Sequence, residues 1–235
     1  MTISTVILNV KQKEFGAIGI GAMIIFIALI IVAGVAASII IQTSNTVQLQ
    51  AMKTGVESLR EVAGGISIFD IEGFVNKTGS TYYNITYLAI TIRLRPGTDY
   101  IDLNNSYILM TDGLKKVLLR YNYGNSSSFI TKTSTVGSVF NLLSSGNWLA
   151  ETNEYFAIAV MQDYDSSMKR FQPIMNQGDK AILLIRCSSA SNGAFEREIP
   201  ERTDVTGQIV PERGSPGVIA FTTPMSYSTI IYDLQ

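Results

Sequence analysis

The stretch from Gly16 to Met52 limits most strongly what this chain can fold into. No charged side chain occurs anywhere in it. An α-helix over Ala17 to Ile41 would be about 38 Å long at ~1.5 Å per residue, which exceeds the ~30 Å hydrocarbon core of a bilayer. The sequence therefore predicts a membrane-length helix near the N-terminus, and everything after it would be carried across the membrane as one exported domain.

The helical pattern continues beyond the apolar run. Apolar residues at alternating spacings of three and four mark one face of an amphipathic helix, and they are Leu49, Met52, Val56, Leu59 and Ala63. Helix propensity falls at the Gly64-Gly65 pair, where a C-cap or a hinge is expected. We therefore expect one hydrophobic helix over residues 17–63.

Residues 1–16 have the character of a cleaved leader peptide. Its basic residues should stay on the cytoplasmic side, so the bulk of the chain faces outward. The apolar run is longer than the ~7–15 residues of an ordinary secretory signal. Because Gly16 separates the charged leader from this run, we expect cleavage between Gly16 and Ala17, which leaves the helix on the mature protein. A cut after Ala37 is the alternative.

From Ile66 onward the apolar residues recur with a period of two. Residues 88–95 show this alternation most clearly, as a half-buried strand does, and a turn at Pro96-Gly97 ends it. Seven similar runs are predicted at residues 68–75, 107–111, 116–121, 155–162, 181–187, 217–222 and 228–234. The predicted fold class is α+β, with a long hydrophobic N-terminal α-helix followed by an immunoglobulin-like β-sandwich over residues 66–235. The charged stretch 196–213 is expected to be an exposed excursion between strands.

Three blocks of the sequence resemble one known family. The first follows Gly16, and two more lie far downstream: AIGIGAM, IIFIA and VAGVAA within residues 17–37, NQGDK at residues 176–180, and VPERGSPGVI at residues 210–219. In these blocks the chain resembles an archaeal flagellin (archaellin), a relative of type IV pilins at its N-terminal end. Most bacterial pilins have a glutamate at the fifth position after the cut, where this chain has Gly21, and this difference favours archaellin.

The resemblance implies a structural subunit of the archaellum, the rotating motility filament on the cell surface. It implies as partners further copies of the chain, other archaellins, a leader peptidase, the membrane during biogenesis, and the motor and assembly machinery. Two alternatives stay open at this point. One is an adhesive pilin of the same plan, and the other is a membrane-anchored extracellular hydrolase or binding domain that does not polymerise.

Assembly is also expected from the apolar helix itself. Burying about 25 mostly apolar side chains is worth on the order of tens of kcal/mol, and a single β domain cannot cover a helix of that length. Copies must therefore cover one another. Small residues let helix backbones approach closely, and the candidates are Gly19, Gly21, Ala33, Gly34, Ala37 and Ser38. Heterologous contacts of this kind form an open helical filament when they do not close into a ring.

Composition argues against most catalytic readings. The chain has no histidine, one cysteine and a net charge of −1, which leaves no basic footprint for nucleic acid and no cysteine spacing for a metal. No cofactor and no enzymatic activity are therefore expected. Cys187 closes an apolar run and is expected to be a small buried core residue. Asp70 and Glu72 share a strand face, and a solvent-facing edge is the favoured interpretation over an acid/base pair.

Two kinds of polar site remain candidates. Asp163, Asp165, Ser166 and Ser167 would offer oxygens to a structural Ca²⁺, although a solvated turn is the favoured interpretation because the central glycine and distal glutamate of a calcium loop are missing. Four Asn-x-Ser/Thr sequons occur within fifty residues, at Asn76, Asn84, Asn104 and Asn125. In an exported domain they predict N-glycosylation, with ordinary turn chemistry as the alternative.

Overall fold

A computed structural model describes residues 3–78, 81–124, 128–131, 154–187 and 193–235. The chain divides into two compact units, Met1–Val56 and Glu57–Gln235. Helix α1 spans Ile3–Ala63, 61 residues in all. All described residues of the first unit belong to this helix, and so do the first seven residues of the second unit.

The end of α1 depends on the glycine pair that follows it. Gly64 closes the last turn through its N–H, which donates to the Arg60 carbonyl at 2.9 Å. Gly65 has a φ of +139°, and a Cβ placed there would lie 2.1 Å from the Ser215 carbonyl oxygen. Only glycine combines this conformation with such a close backbone approach. The helix therefore stops where the chain meets a distant segment of the β domain.

Among the described residues, thirteen strands follow the helix. They are β1 Ile66–Thr78, β2 Thr81–Leu94, β3 Tyr100–Asp102, β4 Tyr107–Thr111, β5 Lys116–Tyr121, β6 Phe129–Ile130, β7 Tyr155–Gln162, β8 Met168–Lys169, β9 Gln172–Asn176, β10 Lys180–Arg186, β11 Asp204–Val210, β12 Gly217–Thr222 and β13 Ile231–Asp233. Ten of them form one sheet in the order β12-β11-β4-β5-β7-β10-β2-β1-β13, with β6 paired to β7. Strands β3, β9 and β8 form a small separate sheet.

The large sheet curls until its two ends meet. Strand β12 begins one end of the sheet order and β1 lies next to the other end, yet a Cβ on Gly217 would contact the side chains of Ile66 and Ile68 in β1. A parallel bridge joins Gly65 to Ser215 just before these strands. The inner face of the curled sheet therefore encloses one core.

Alternating burial follows from this curl. Strands β5 and β12 place every second residue in the core and the intervening residues in solvent. Strands β7 and β10 lie mid-sheet and are buried on both faces. Their outward residues form a second apolar cluster with β2, consisting of Ala89, Ala157, Ala159, Ile182 and Leu184.

The predicted fold class, a long apolar helix followed by a strand-built domain, is confirmed. The expectation for residues 196–213 is wrong, because this stretch contains β11, which lies inside the sheet between β12 and β4. Val205 and Ile209 of β11 are fully buried. At the inward position between them is Gly207, where a Cβ would lie 2.4 Å from the Leu109 carbonyl oxygen. The glycine that this packing requires interrupts the apolar alternation in the sequence.

Candidate assembly helix and surface sites

The apolar part of α1 exposes its side chains all round the helix. Its large apolar residues between Ile20 and Ile41 are between 54% and 68% exposed. The stretch from Gly19 onward is long and apolar enough to cross a membrane, with a mean hydropathy of 3.2 in its most apolar window. A helix that is hydrophobic all round needs lipid or other protein around it.

Five of the six predicted packing residues lie on one side of α1. At about 100° per residue, Ala37 lies directly above Gly19, and Ala33, Gly34 and Ser38 fall within about 100° of that line. Gly21 lies about 200° away, on the opposite side. A Cβ added to Gly19, Gly21 or Gly34 meets nothing within 4 Å. The single chain therefore leaves this small-residue face open to a partner.

The apolar run gives way to polar residues without breaking the helix. The hydroxyl groups of Thr43 and Thr46 donate to the carbonyls of Ile39 and Gln42, at 2.8 and 3.0 Å. Both hydroxyls are thus satisfied inside the helix, which suits the edge of an apolar environment. Gly16 and Ala17, the predicted cleavage pair, lie within the same helix, and only their backbone is described.

Three aspartates of the β domain come together near the small sheet. Carboxylate oxygens of Asp163, Asp165 and Asp179 lie within 4.8 Å of one another. The sequence prediction included the first two of these and missed Asp179. Ser167 joins the group through its N–H, which donates to Asp163 and Asp165, whereas its hydroxyl donates to the Ile174 carbonyl at 2.8 Å. Ser166 has a φ of +60° at the turn.

The carboxylates of Asp179 and Asp165 differ in their electrostatics. Burial raises the pKa of Asp179, and the charges of Asp163 and Asp165 add to this effect against a hydrogen bond from the Asn176 N–H. At Asp165 desolvation also acts to raise the pKa, yet hydrogen bonds from Ser167 and Asn176 outweigh it and lower the pKa. Hard carboxylate oxygens are the ligands that Ca²⁺ prefers, so this donor set fits that ion.

A second carboxylate group lies on the outer face of β1. Glu72 stands directly opposite Asp233 of β13, and Asp70 lies two residues away on the same face. Burial raises the pKa of Asp70 and of Glu72, and the nearby charges raise both pKa values further. No basic side chain among the described residues forms a salt bridge with either group. Among the described residues, Asp70 and Glu72 therefore have no ion-pair partner.

The predicted sequons have different surroundings. Asn76 is exposed in β1, and Asn84 is half-buried in β2. Asn104 is half-buried in a short 3-10 helix, Leu103–Asn105, and the hydroxyl of its sequon residue Ser106 is buried and donates to the Asp102 carbonyl at 3.0 Å. Asn125 lies outside the described residues.

Cys187 lies at the end of β10 and is fully buried, which confirms the sequence prediction. Burial raises the pKa of its thiol, so the reactive thiolate form is suppressed. The expectation that Cys187 is a packing residue therefore matches its environment.

Comparison with known proteins identifies relatives along nearly the whole chain. The family model for archaeal-type flagellin matches residues 16–221. Flagellin B2 of Methanocaldococcus jannaschii is 43% identical over 212 residues, which cover 90% of each chain. Flagellin B1 of the same organism is 38% identical over 94% of this chain and 95% of its own.

Solved structures agree with these sequence relatives. The crystal structure of archaeal flagellin FlaB1 from Methanocaldococcus jannaschii superimposes with a TM-score of 0.60 at 30% identity, covering 74% of this chain and 98% of that one. A subunit of the archaeal flagellum of Methanospirillum hungatei strain JF1 superimposes with a TM-score of 0.52 at 13% identity, covering 92% and 98% of the two chains. At that identity the second match speaks for the fold alone.

Proposed function

This chain belongs to the archaeal-type flagellin family, and we propose that it joins its filament through the apolar part of α1. Family membership makes it a structural subunit of an extracellular motility filament built from copies of flagellin. It also decides between the alternatives that the sequence left open, in favour of a filament subunit over an adhesive pilin or an anchored binding domain.

The exposed apolar surface of α1 carries the proposal. About fourteen large side chains between Ile20 and Ile41 are more than half exposed, and each contributes roughly 1.5–3 kcal/mol when fully buried. Lipid would supply that environment to a membrane-inserted precursor. In a filament only the helices of other copies can supply it, so the helices would bundle into a core and the β domains would surround it.

The small-residue face would set how closely the helices approach. Gly19, Gly34 and Ala37 lie on one side of α1, and the Cβ position of Gly34 is open in the single chain. Backbones approach closely at such faces and gain dispersion contacts. A large side chain there would hold the helices apart without disturbing the subunit itself.

Substitution of Gly34 tests this assignment. Gly34→Leu should leave export intact and block or distort filaments, because overpacking a close contact costs roughly 1–3 kcal/mol and recurs in every subunit. Gly55→Leu, the same change in the polar part of α1 where a Cβ also meets nothing within 4 Å, is the matched control. Electron microscopy of cells expressing each variant gives the readout, and normal Gly34→Leu filaments would overturn the assignment.

The leader would be removed before assembly. The family model begins its match at residue 16, which supports cleavage between Gly16 and Ala17 by a leader peptidase. The mature helix would then pass from the membrane to the growing filament through the archaellum assembly machinery, and a motor in the membrane would turn the filament. Mass spectrometry of protein sheared from cells should find Ala17 as the N-terminal residue, and Met1 or Ser38 would contradict this proposal.

The aspartate group is proposed as a structural Ca²⁺ site. Asp163, Asp165 and Asp179 would supply carboxylate oxygens, and the divalent ion would offset most of the repulsion among their three like charges. Its effect would be structural, because it would tie the β7–β8 turn to the β9–β10 turn. The buried carboxylate of Asp179 supports the assignment, since burial of an ionised group is costly without a compensating charge.

N-glycans are proposed on the outer surface of the β domain. Asn76, Asn84, Asn104 and Asn125 stay the candidate acceptors, and the exposure of Asn76 makes it the best placed of the three that are described. An exported filament subunit is the setting in which such sequons are used. Glycans there would cover the filament surface and leave the apolar helix untouched.

A further inference from the structure

One apolar side chain projects rigidly from the turn between β4 and β5. Leu114 is 79% exposed at the tip of this turn. Its N–H and that of Lys115 donate to the same carboxylate oxygen of the buried Asp112, at 3.1 and 2.8 Å. Gly113 supplies the φ of +84° that the turn needs. Since its backbone is already held, Leu114 can serve as a docking anchor with little further loss of entropy.

A small cavity lies on the outer face of the same sheet. Its volume is about 110 Å³, with Ala89 and Ile182 in its floor and Phe69 and Met161 in its walls. Phe69 is the extra residue of a β-bulge in β1, so its side chain stands away from the regular strand and is 58% exposed. The apolar part of the cavity has room for one small apolar group, whereas its rim is charged.

The two features carry opposite charge. Asp70 and Glu72 line the cavity and Asp233 stands beside them, so three carboxylates face the two cations of Lys180 and Arg93, which lie over the Phe69 ring. Lys115 and Lys116 follow Leu114 directly, and Lys115 forms a salt bridge with Glu196 at 2.8 Å. A docked turn would therefore bring Lys116 toward carboxylates that have no ion-pair partner among the described residues. Such complementarity selects orientation and partner.

Leu114 cannot fill the cavity of its own chain. Strands β5 and β7 run parallel with Arg120 opposite Tyr155, so Leu114 lies six residues before this pair and Met161 six residues after it. At about 3.3 Å per residue, these positions are roughly 40 Å apart along the strands. The anchor and the cavity thus occupy opposite ends of the β domain and can meet only between copies.

We propose that Leu114 of one copy inserts into the cavity beside Phe69 and Met161 of the next copy in the filament. The contact is heterologous, because each copy presents the anchor at one end of its β domain and the cavity at the other. A repeated contact of this kind links copies without closing. The inference rests on the proposed function, since the contact exists only when the chain polymerises, and it assigns the β domain a specific part in assembly.

Cross-linking in filaments tests the contact directly. The full-length chain carrying Leu114→Cys and Met161→Cys is expressed in cells that assemble it, and the sheared filaments are treated with a short bis-maleimide. Cys187 is the chain's one natural cysteine and is buried, so it should not react with the maleimide. A ladder of dimers, trimers and larger species on a denaturing gel is expected. Each single variant, and Leu118→Cys combined with Met161→Cys, should give monomer only.

The outcomes separate this inference from the proposed function. Filaments of the double variant without a ladder overturn the docking contact and leave filament formation intact. If the wild-type chain itself forms no filaments, the proposed function fails first. Where the double variant does not assemble, the two single variants are co-expressed with each other, and their filaments should yield a cross-linked dimer. Absence of that dimer would also overturn the contact.

A second measurement does not depend on cysteines. Leu114→Asp removes the anchor and places a carboxylate against Asp70 and Glu72, so its filaments should dissociate at a lower temperature or break into shorter lengths. Leu118→Asp, on the exposed side of β5, should behave as wild type. Equal behaviour of the two variants would contradict the inference, because the general effect of adding a surface charge would then account for both.

Discussion

Arg197 donates from Nε and Nη2 to one carboxylate oxygen of Asp112, at 2.8 and 2.6 Å. The Asp112 side chain is completely buried, whereas that of Arg197 is 37% exposed. The backbone N–H groups of Leu114 and Lys115 donate to the other carboxylate oxygen. The pair thus joins the segment before β11 to the turn that carries Leu114.

Removing Arg197 should destabilise the β domain. Arg197→Met leaves a buried carboxylate without its cation, which costs about 3 kcal/mol in the free energy of unfolding. Lys115→Met breaks the exposed Lys115–Glu196 pair instead and should cost less than about 1 kcal/mol. Denaturant unfolding of the soluble β domain measures both variants. Equal losses would show that burial of Asp112 does not decide the effect.

The carboxylates of β1 predict a pH dependence of the opposite sign to that of Asp112. Burial and like charge raise the pKa of Glu72 above its ordinary 4.5, so its ionised form weakens the fold above that pKa and the penalty vanishes as pH falls below about 4. Glu72→Gln should therefore raise Tm at pH 7 by roughly 2 °C, and the gain should disappear near pH 4. A gain that persists at pH 4 would show that charge is not its cause.

The carboxylate of Asp112 stabilises the fold when it is ionised, so its pH dependence has the opposite sign. Desolvation alone would raise its pKa, but the N–H groups of Lys115 and Leu114 and the Arg197 guanidinium hold the pKa below its ordinary 3.8. Its contribution to stability is therefore complete above pH 4 and is lost as pH falls through the lowered pKa. In Asp112→Asn the free energy of unfolding should therefore fall less than in the wild type when the pH is lowered below about 4.

Calcium should stabilise the domain through the aspartate group. Adding Ca²⁺ to chelator-treated protein should raise Tm, and by mass action the shift should grow with the concentration of the ion. Asp179→Asn removes one of the three carboxylates and should abolish that dependence. Asp233→Asn, which alters the other carboxylate group, should keep it. A wild-type Tm unchanged by Ca²⁺ would exclude a structural ion at this site.

The sequons should differ in glycan occupancy. Asn76 is exposed, whereas the Ser106 hydroxyl of the Asn104 sequon is buried and already donates to Asp102. A folded domain therefore offers Asn76 more readily to a glycosylating enzyme. Peptide mass spectrometry of filaments should find higher occupancy at Asn76 than at Asn104. The reverse order would indicate that glycans are added before the domain folds.

The β domain should be soluble without the apolar helix. A fragment of residues 57–235 keeps the compact unit whole and should be a soluble monomer, because contacts between β domains alone are too small to hold copies together. A fragment of residues 66–235 loses the hydrogen bonds of Gly65 with Thr98 and Arg95 and should be about 1–2 kcal/mol less stable. Filaments formed by either fragment in sedimentation would show that the helix is not required.

Strands with a regular apolar alternation were predicted from the sequence, whereas a strand with an interrupted alternation was not. Strands β4, β5, β7 and β12 were predicted to the residue, because each has a regular apolar run between turns. Strand β11 escaped because Gly207 occupies an inward position where a side chain would strike Leu109. Because the outward residues of β11 are polar, the sequence was interpreted there as an exposed loop.

Long-range juxtaposition explains what the site predictions missed. Asp179 reaches Asp163 and Asp165 only because the β9–β10 turn lies beside the end of β7, and no local pattern encodes that meeting. Asp233 likewise faces Glu72 through a pairing of the last strand with the first. The helix and its small-residue face were visible in sequence because their spacing is local.

The bridge between Gly65 and Ser215 joins a segment made early in synthesis to one made late. The two residues are 150 positions apart in the sequence. Strand β1 also pairs with β13, which lies near the C-terminus. At about 5–20 residues per second, roughly 8–30 s of synthesis separate them. Pairings this distant in sequence fold slowly, because the chain must close a long loop before any contact repays the lost entropy. A chain still being synthesised cannot close its sheet, whereas α1 is complete early and can already hold the growing chain in the membrane.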